Sequence, residues 1–86
     1  MAAMLRLEPA LMLAAIRHGD RGAVVRVLSA DHGLVAAYVW GAQGRGLRPV
    51  LQPGNVLALD LAPRANGRMP VATPHLISAN MAMLHG

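Results

Sequence analysis

The sequence predicts an all-β fold, a small barrel or sandwich of five strands in one domain. Short apolar runs alternate with turn residues at fairly regular intervals, which is typical of such folds. Apolar residues make up 55% of the 86 residues and charged residues 14%, so the composition is far from that of disordered chains. A chain of this length holds one hydrophobic core. We therefore expect a single domain over residues 1–80.

Each strand is predicted from an apolar run between turn residues. The first run ends at a turn over residues 18–22, and the valine-rich second run ends at residues 30–33, where Asp favours a turn and Gly permits positive φ. The dipeptide Asn66-Gly67 favours a type I′ turn before the fifth run. The predicted strands span residues 10–16, 23–28, 34–40, 56–61 and 71–77.

Three segments depart from a plain pattern of strands and turns. The connection 41–52 is too long for a hairpin, and a short helical turn is expected around residues 47–51. Pro70 and Pro74 cannot donate ladder hydrogen bonds, so the fifth strand is expected to be an edge or to contain a bulge. The tail 78–84 has helical propensity, and residues 81–86 are expected to begin a helix leading to a missing C-terminal part.

Five strands with a long third connection fit the OB-fold, a partly open Greek-key barrel. An SH3-like barrel is the main alternative, and the sequence separates the two poorly. In an OB-fold, oligonucleotides lie across strands two and three, between the first loop and the loop joining strands four and five.

The charge of the chain favours an anionic partner such as nucleic acid. All eight basic residues are arginine and four are acidic, for a net charge of +4. In the OB arrangement the arginines border the groove, where they would contact phosphates without reading sequence. The opposing interpretation is that loop arginines are merely solvated. The candidate nucleic-acid-binding arginines are Arg17, Arg21, Arg26, Arg45, Arg48, Arg64 and Arg68.

Two aromatic residues extend this candidate site. Tyr38 and Trp40 are two apart, so in a strand they project from the same face, while Ala37 and Val39 face the interior. With Arg26 on the second strand they would form a platform on which bases stack. The alternative places Trp40 in the core or against the missing part of the protein.

Catalytic, metal and membrane roles find little support. The chain has no cysteine. Ser29, Asp31 and His32 lie in one tight turn, which does not give the geometry of a catalytic triad. The four histidines lack ligand spacing, and no window of about 20 apolar residues could span a membrane. We expect a cytoplasmic, nucleoid-associated binding protein rather than an enzyme, with no catalytic residue, metal site or cofactor in this segment.

Four segments occur in a distinctive order and spacing: Ser29-Ala30-Asp31-His32-Gly33-Leu34-Val35, Gly41-Ala42, Leu51-Gln52-Pro53-Gly54 and, in the first loop, Arg17-His18-Gly19-Asp20. Over residues 8–80 this order resembles the N-terminal domain of the bacterial RecO DNA repair proteins. This resemblance implies an OB-fold that binds single- and double-stranded DNA and anneals complementary strands. It also implies a mediator that, with RecR, helps load RecA onto DNA coated by single-strand-binding protein. A helical domain, often with a cysteine zinc site, would follow.

The chain departs from the family pattern at charged positions. Ala30 and Leu34 stand where the family tends to have basic residues, and Gln43-Gly44 replaces an Arg-Arg pair. Each lost phosphate contact flattens the salt dependence of single-strand binding by about 0.7 in log–log slope. We therefore expect weak DNA binding by this segment. The alternative function is a docking module in which Tyr38, Trp40 and the methionine-rich tail contact RecR or the missing domains.

Overall fold

Five strands make up most of the chain. A computed structural model describes residues 4–80, and within them the strands close into a barrel in the order β1-β2-β3-β5-β4. This closed Greek-key barrel confirms the predicted all-β OB-fold. The strands are β1 (Leu5–His18), β2 (Gly22–Ser29), β3 (Gly33–Val39), β4 (Val56–Ala62) and β5 (Val71–Ser78).

β1 is twice as long as its neighbours because it pairs with two of them in succession. Its first half is antiparallel to β4, as far as Leu11, and its second half is antiparallel to β2, from Ala10 to His18. The register shifts between Leu7 and Ala10 and again between Met12 and Ala14. Such irregularities bend a strand and increase its twist, which lets one strand serve two neighbours in a closed barrel.

The core consists of the inward-facing residues of these strands. Burial alternates along β2 from Ala23 to Ser29 and along the second half of β3, and Val25, Val27, Ala37 and Val39 are at most 1% exposed. The chain contains no phenylalanine, so aliphatic side chains and one methionine fill the interior. The largest fully buried side chains are Leu7, Met12, Leu57, Leu59, Val25, Val27 and Val39.

The connection between β3 and β4 covers the side of the barrel that β4 leaves open. Beyond Leu11, β1 has no strand partner on that side within the described residues, and Met12 instead exchanges backbone hydrogen bonds with the end of the connection at residues 54–55. Two i→i−4 hydrogen bonds form turns over residues 44–51. The helical turn predicted near residues 47–51 is therefore present, although it does not extend into a helix. Leu47, Val50 and Leu51 pack on the core.

Asn55 holds this connection in place. Its side chain is buried, and the Nδ2 group donates to the carbonyl oxygens of Pro49 and Val50 at 3.0 Å. Its Oδ1 accepts a hydrogen bond from the backbone N–H of Asn80 at 2.9 Å. One buried amide thus links the connection to the segment that follows β5.

β5 is an edge strand for most of its length, as its prolines predict. It pairs with β4 throughout, with a register shift between Val56 and Leu57, but it pairs with β3 only at Tyr38 and Val71. The preceding loop, residues 63–70, contains a single 3₁₀ turn at Ala65–Gly67. Asn66 and Gly67 both have positive φ, as the predicted type I′ geometry requires.

The predicted C-terminal helix is corrected in part. Ser78, which was assigned to the helical tail, is the last residue of β5, where it pairs with Val56. Residues 79 and 80 continue without helical structure, because Asn80 is bonded to Asn55 instead of to a preceding turn. The expected helix start at residues 81–86 lies outside the described residues.

The Asn55 side chain provides a test of the fold. We expect Asn55→Ala to lower the free energy of unfolding by about 1–3 kcal/mol, because it removes a buried amide that makes three hydrogen bonds. The exposed Gln52, which donates one hydrogen bond to the Arg48 carbonyl, is the control, and Gln52→Ala should change stability by less than about 0.5 kcal/mol. Urea unfolding followed by circular dichroism measures both. Equal losses would contradict the role assigned to Asn55.

Candidate nucleic-acid interface

The outer surface of β1, β2 and β3 contains three of the residues predicted to form the platform. Residues that pair across neighbouring antiparallel strands project from the same face. Tyr38 pairs with Val24, and Arg26 pairs with Ala36 on one side and Ala14 on the other. Arg26 and Tyr38 therefore lie on one face, and Trp40, directly after the end of β3, contacts Tyr38 there.

A ladder of three aromatic rings forms one end of this face. The ring centroids of Tyr38 and Trp40 are 4.9 Å apart at an interplanar angle of 79°, and those of His18 and Tyr38 are 5.7 Å apart at 85°. Both pairs have the edge-to-face geometry that aromatic rings favour. Trp40 is 64% exposed, so the alternative that it fills the core is wrong. We call His18, Tyr38, Trp40 and Arg26 the aromatic face.

His18 is a member of the aromatic face that the sequence did not reveal. The sequence predicts a turn that begins at His18, whereas β1 continues through this residue and pairs it with Gly22. Gly22 in turn makes room for Tyr38, since a Cβ built at Gly22 would overlap the Tyr38 hydroxyl group. In the sequence, the only indication of this close packing is the glycine at position 22, at the start of the second strand.

Most of the arginines have no acidic partner. Within residues 4–80, Arg6 is the arginine that forms ion pairs, with Glu8 at 2.8 Å and with Asp60 at 3.0 Å. The hydrogen bond to Glu8 and then the charge of Asp60 raise the pKa of Arg6 above its ordinary value. His75 also contacts Asp60, at 3.1 Å. The seven predicted site arginines therefore keep charges that no carboxylate in this part of the chain pairs with.

The arginines of the two loops lie at the same end of the barrel as Trp40. Arg21 is in the first loop, which joins β1 to β2. Arg64 and Arg68 are in the loop before β5, which returns to β3 where the Tyr38 N–H donates to the Pro70 carbonyl at 2.9 Å. All three are exposed, and the Arg64 Nε donates to the Met69 carbonyl at 2.8 Å.

Arg17 and Arg48 lie on the other side of β1 from the aromatic face. Arg17 pairs with Ala23, which is buried, so its side chain leaves the strand on the interior side. Together with Arg48 it borders an open cavity of about 420 Å³ between β1 and the connection. We call this the side cavity. Arg45 is exposed on the connection itself. The candidate arginines thus occupy two surfaces instead of one groove.

Gln43 joins these two regions, and the sequence did not reveal its contacts. Its Nε2 donates to the Gly22 carbonyl at 2.9 Å and to the Gly19 carbonyl at 3.3 Å. Its Oε1 accepts from the Arg17 Nε at 2.9 Å, and its backbone N–H donates to the Arg21 carbonyl at 3.3 Å. The sequence indicates only that Gln43 replaces a basic residue of the family pattern. In the structure, Gln43 holds the first loop and orients Arg17.

The remaining polar candidates are dispersed or structural. The backbone N–H of His32 donates to the Oγ of buried Ser29 at 3.3 Å, a contact within the turn. Among the residues that the structure describes, no three His, Cys, Asp or Glu side chains are grouped to hold a metal ion. Over the same residues, no helix has the length and apolar character needed to cross a membrane.

The fold and the aromatic face together define an OB-fold domain with an exposed, basic outer surface. Residues 4–73 match the family model described as "Recombination protein O N terminal". The chain belongs to this family, in agreement with the resemblance seen in its motifs.

Curated relatives agree with this assignment. The chain is 38% identical over 66 residues, 77% of its length, to the DNA repair protein RecO of Caulobacter vibrioides. It is 49% identical over 47 residues, 55% of its length, to that of Phenylobacterium zucineum, and 27% identical over 78 residues, 91% of its length, to that of Methylorubrum extorquens. It spans 27%, 19% and 32% of those proteins. No solved structure matches the chain significantly.

A substitution that adds one methyl group at Gly22 tests the packing of Tyr38 on this residue. We expect Gly22→Ala to destabilise the domain by about 1–3 kcal/mol, because the new Cβ overlaps the phenol ring in a packed site. The displaced ring should also change the near-ultraviolet circular dichroism of Tyr38 and Trp40. Gly46→Ala is the matched control, since a Cβ there meets no atom within 4 Å. An unchanged spectrum in Gly22→Ala would refute this packing.

Proposed function

We propose that this chain is the DNA-binding OB domain of a RecO-type recombination mediator, active in DNA repair, that binds single- and double-stranded DNA without base specificity. The observation that supports this most directly is the exposed Trp40, which packs against Tyr38 on the face that also contains Arg26. This is the face of strands two and three on which OB-folds bind oligonucleotides.

Stacking would supply the part of the affinity that depends on single strands. The edge-to-face contact with Tyr38 orients the indole of Trp40 while most of its surface remains accessible. A base stacked on such a ring contributes about 1–3 kcal/mol whatever its identity. Because His18 and Tyr38 continue the row, successive bases would meet aromatic surface along the same end of the face.

Phosphate contacts would supply the part of the affinity that is common to single-stranded and double-stranded DNA. Arg26 lies within the face, and Arg21, Arg64 and Arg68 project from the two loops at its aromatic end. None of them is paired with a carboxylate in residues 4–80. Each phosphate that they neutralise releases counterions, so binding should weaken with salt by about 0.7 in log–log slope per contact on single strands.

The proposed role is binding rather than covalent chemistry. The curated relatives are named as DNA repair proteins, and the mediator role, with RecR, RecA and single-strand-binding protein as partners, is proposed here on membership of their family. In this role the domain would act in the cytoplasm, on DNA of the nucleoid, and would need no cofactor within this segment.

A second candidate function is protein docking, which a different part of the same face favours. At the end away from the aromatic rings, Leu11 pairs with Leu28, which pairs with Leu34 across the three strands. These leucines are 37%, 44% and 74% exposed. A row of exposed leucines suits contact with RecR or with another part of its own chain.

DNA binding by the aromatic face is tested with two substitutions. We expect Trp40→Ala to weaken binding of a labelled poly(dT) oligonucleotide about 5- to 150-fold, because one stacking interaction is lost. Arg26→Gln should flatten the salt dependence by about 0.7 in log–log slope. Fluorescence anisotropy at several salt concentrations measures both effects.

Arg6→Gln is the control for this experiment, since it removes the same charge from an arginine already paired with carboxylates. Its affinity and salt slope should remain close to those of the unmodified chain. If folded Trp40→Ala and Arg26→Gln also bind like the unmodified chain, the aromatic face is not the DNA site and the docking function is favoured.

A further inference from the structure

The side cavity is a second concave surface, separate from the aromatic face. It lies along the part of β1 beyond Leu11, where β1 has no strand neighbour except β2 among the described residues. Its floor is apolar and closed, because Ala23, Ala42 and Leu51 belong to the buried core. A cavity of about 420 Å³ is within the size range of small-molecule sites.

The rim of the side cavity is positively charged and has no compensating carboxylate. Arg17, Arg48 and Gln52 line it, and no Asp or Glu does. Neither arginine forms an ion pair within residues 4–80. An anion bound in the cavity would be attracted by both guanidinium groups. Guanidinium groups also match the geometry of phosphate oxygens.

The polar rim is held in place before any ligand arrives. Gln43 accepts a hydrogen bond from the Nε of Arg17, so the terminal nitrogens of that guanidinium remain for a ligand. Gln52 donates to the carbonyl of Arg48, and Asn55 holds the preceding residues of the connection. A site whose groups are already ordered loses less conformational entropy on binding.

We propose that the side cavity binds a nucleoside phosphate monoester, with the phosphate on Arg17 and Arg48 and the nucleoside on the apolar floor. A monoester carries a charge of about −1.5 to −2 at neutral pH, which suits two guanidinium groups better than the single charge of a phosphodiester. In a nucleic acid only a terminal phosphate is a monoester, so a nucleic-acid ligand would enter by its phosphorylated end. That last step alone rests on the proposed DNA binding.

The monoester site is tested by nuclear magnetic resonance on the 86-residue chain, with thymidine 5′-monophosphate as the probe. We expect saturable shifts of the Ala23 and Ala42 methyl signals and no such shifts with thymidine. Arg17→Gln and Arg48→Gln should each weaken this binding about tenfold or more, since each removes a charged hydrogen bond. Arg6→Gln should leave it unchanged. Arg48→Gln keeps the test valid if Arg17→Gln disturbs the first loop.

A second measurement tests whether the side cavity binds the phosphorylated end of a strand or only a free nucleotide. We expect a 5′-phosphorylated oligothymidylate to bind about tenfold more tightly than its 5′-hydroxyl counterpart, and Arg48→Gln to abolish this ratio. Trp40→Ala should weaken both oligonucleotides and preserve the ratio.

The outcomes distinguish this proposal from the proposed function. Monophosphate binding without a preference for phosphorylated ends would support a free-nucleotide site and overturn the strand-end step. Monophosphate binding without any oligonucleotide binding would support the side cavity while the proposed function fails. Monophosphate shifts that are absent from the cavity, or unchanged in both arginine variants, would overturn the cavity site even if oligonucleotides bind at Trp40.

Discussion

The architecture depends on a single strand that serves two neighbours. β1 pairs first with β4 and then with β2, and its register shifts are what allow the barrel to close. The same arrangement leaves the second half of β1 without a partner on one side within residues 4–80. The connection between β3 and β4 packs into that space, tied by Gln43 and Asn55. The side cavity is the gap that remains between them.

The register shift of β1 between Met12 and Ala14 also determines on which side of the strand each later side chain lies. Before it, Met12 faces the core and Leu11 faces outward. After it, Arg17 lies on the same side of the strand as the core residues but is exposed at the side cavity, and His18 lies on the aromatic face. Uninterrupted alternation from Met12 would have placed His18 inside, because side chains in a strand alternate with a period of two. A bulge leaves no reliable mark in an apolar run of this kind. The sequence therefore could not show that Arg17 and His18 serve different surfaces.

The two faces of β2 and β3 could be predicted from the sequence, because these strands contain no such bulge. They have no register shift relative to each other, so strict alternation placed Arg26, Tyr38 and Trp40 on one face and Val25 and Val39 in the core. The bounds of β2 to β5 lie within one residue of the prediction, and the turn at Asn66 is where it was expected, because these features rest on local residue preferences. The first strand was predicted over residues 10–16, whereas β1 runs from Leu5 to His18. The contacts of Gln43 were not, since they join carbonyl groups more than 20 positions away and depend on how the connection packs.

The distribution of carboxylates explains why charge is available where the arginines lie. Glu8 and Asp60, half of the acidic residues, are engaged by Arg6 on β1 and β4. Within residues 4–80 these two carboxylates therefore pair with Arg6 and His75 and not with the candidate arginines. Pairing of exposed charges contributes little to stability, so the network matters more for the field that a ligand meets. If the domain binds DNA as proposed, an approaching polyanion would meet the arginines that form no ion pair within residues 4–80, on both sides of β1.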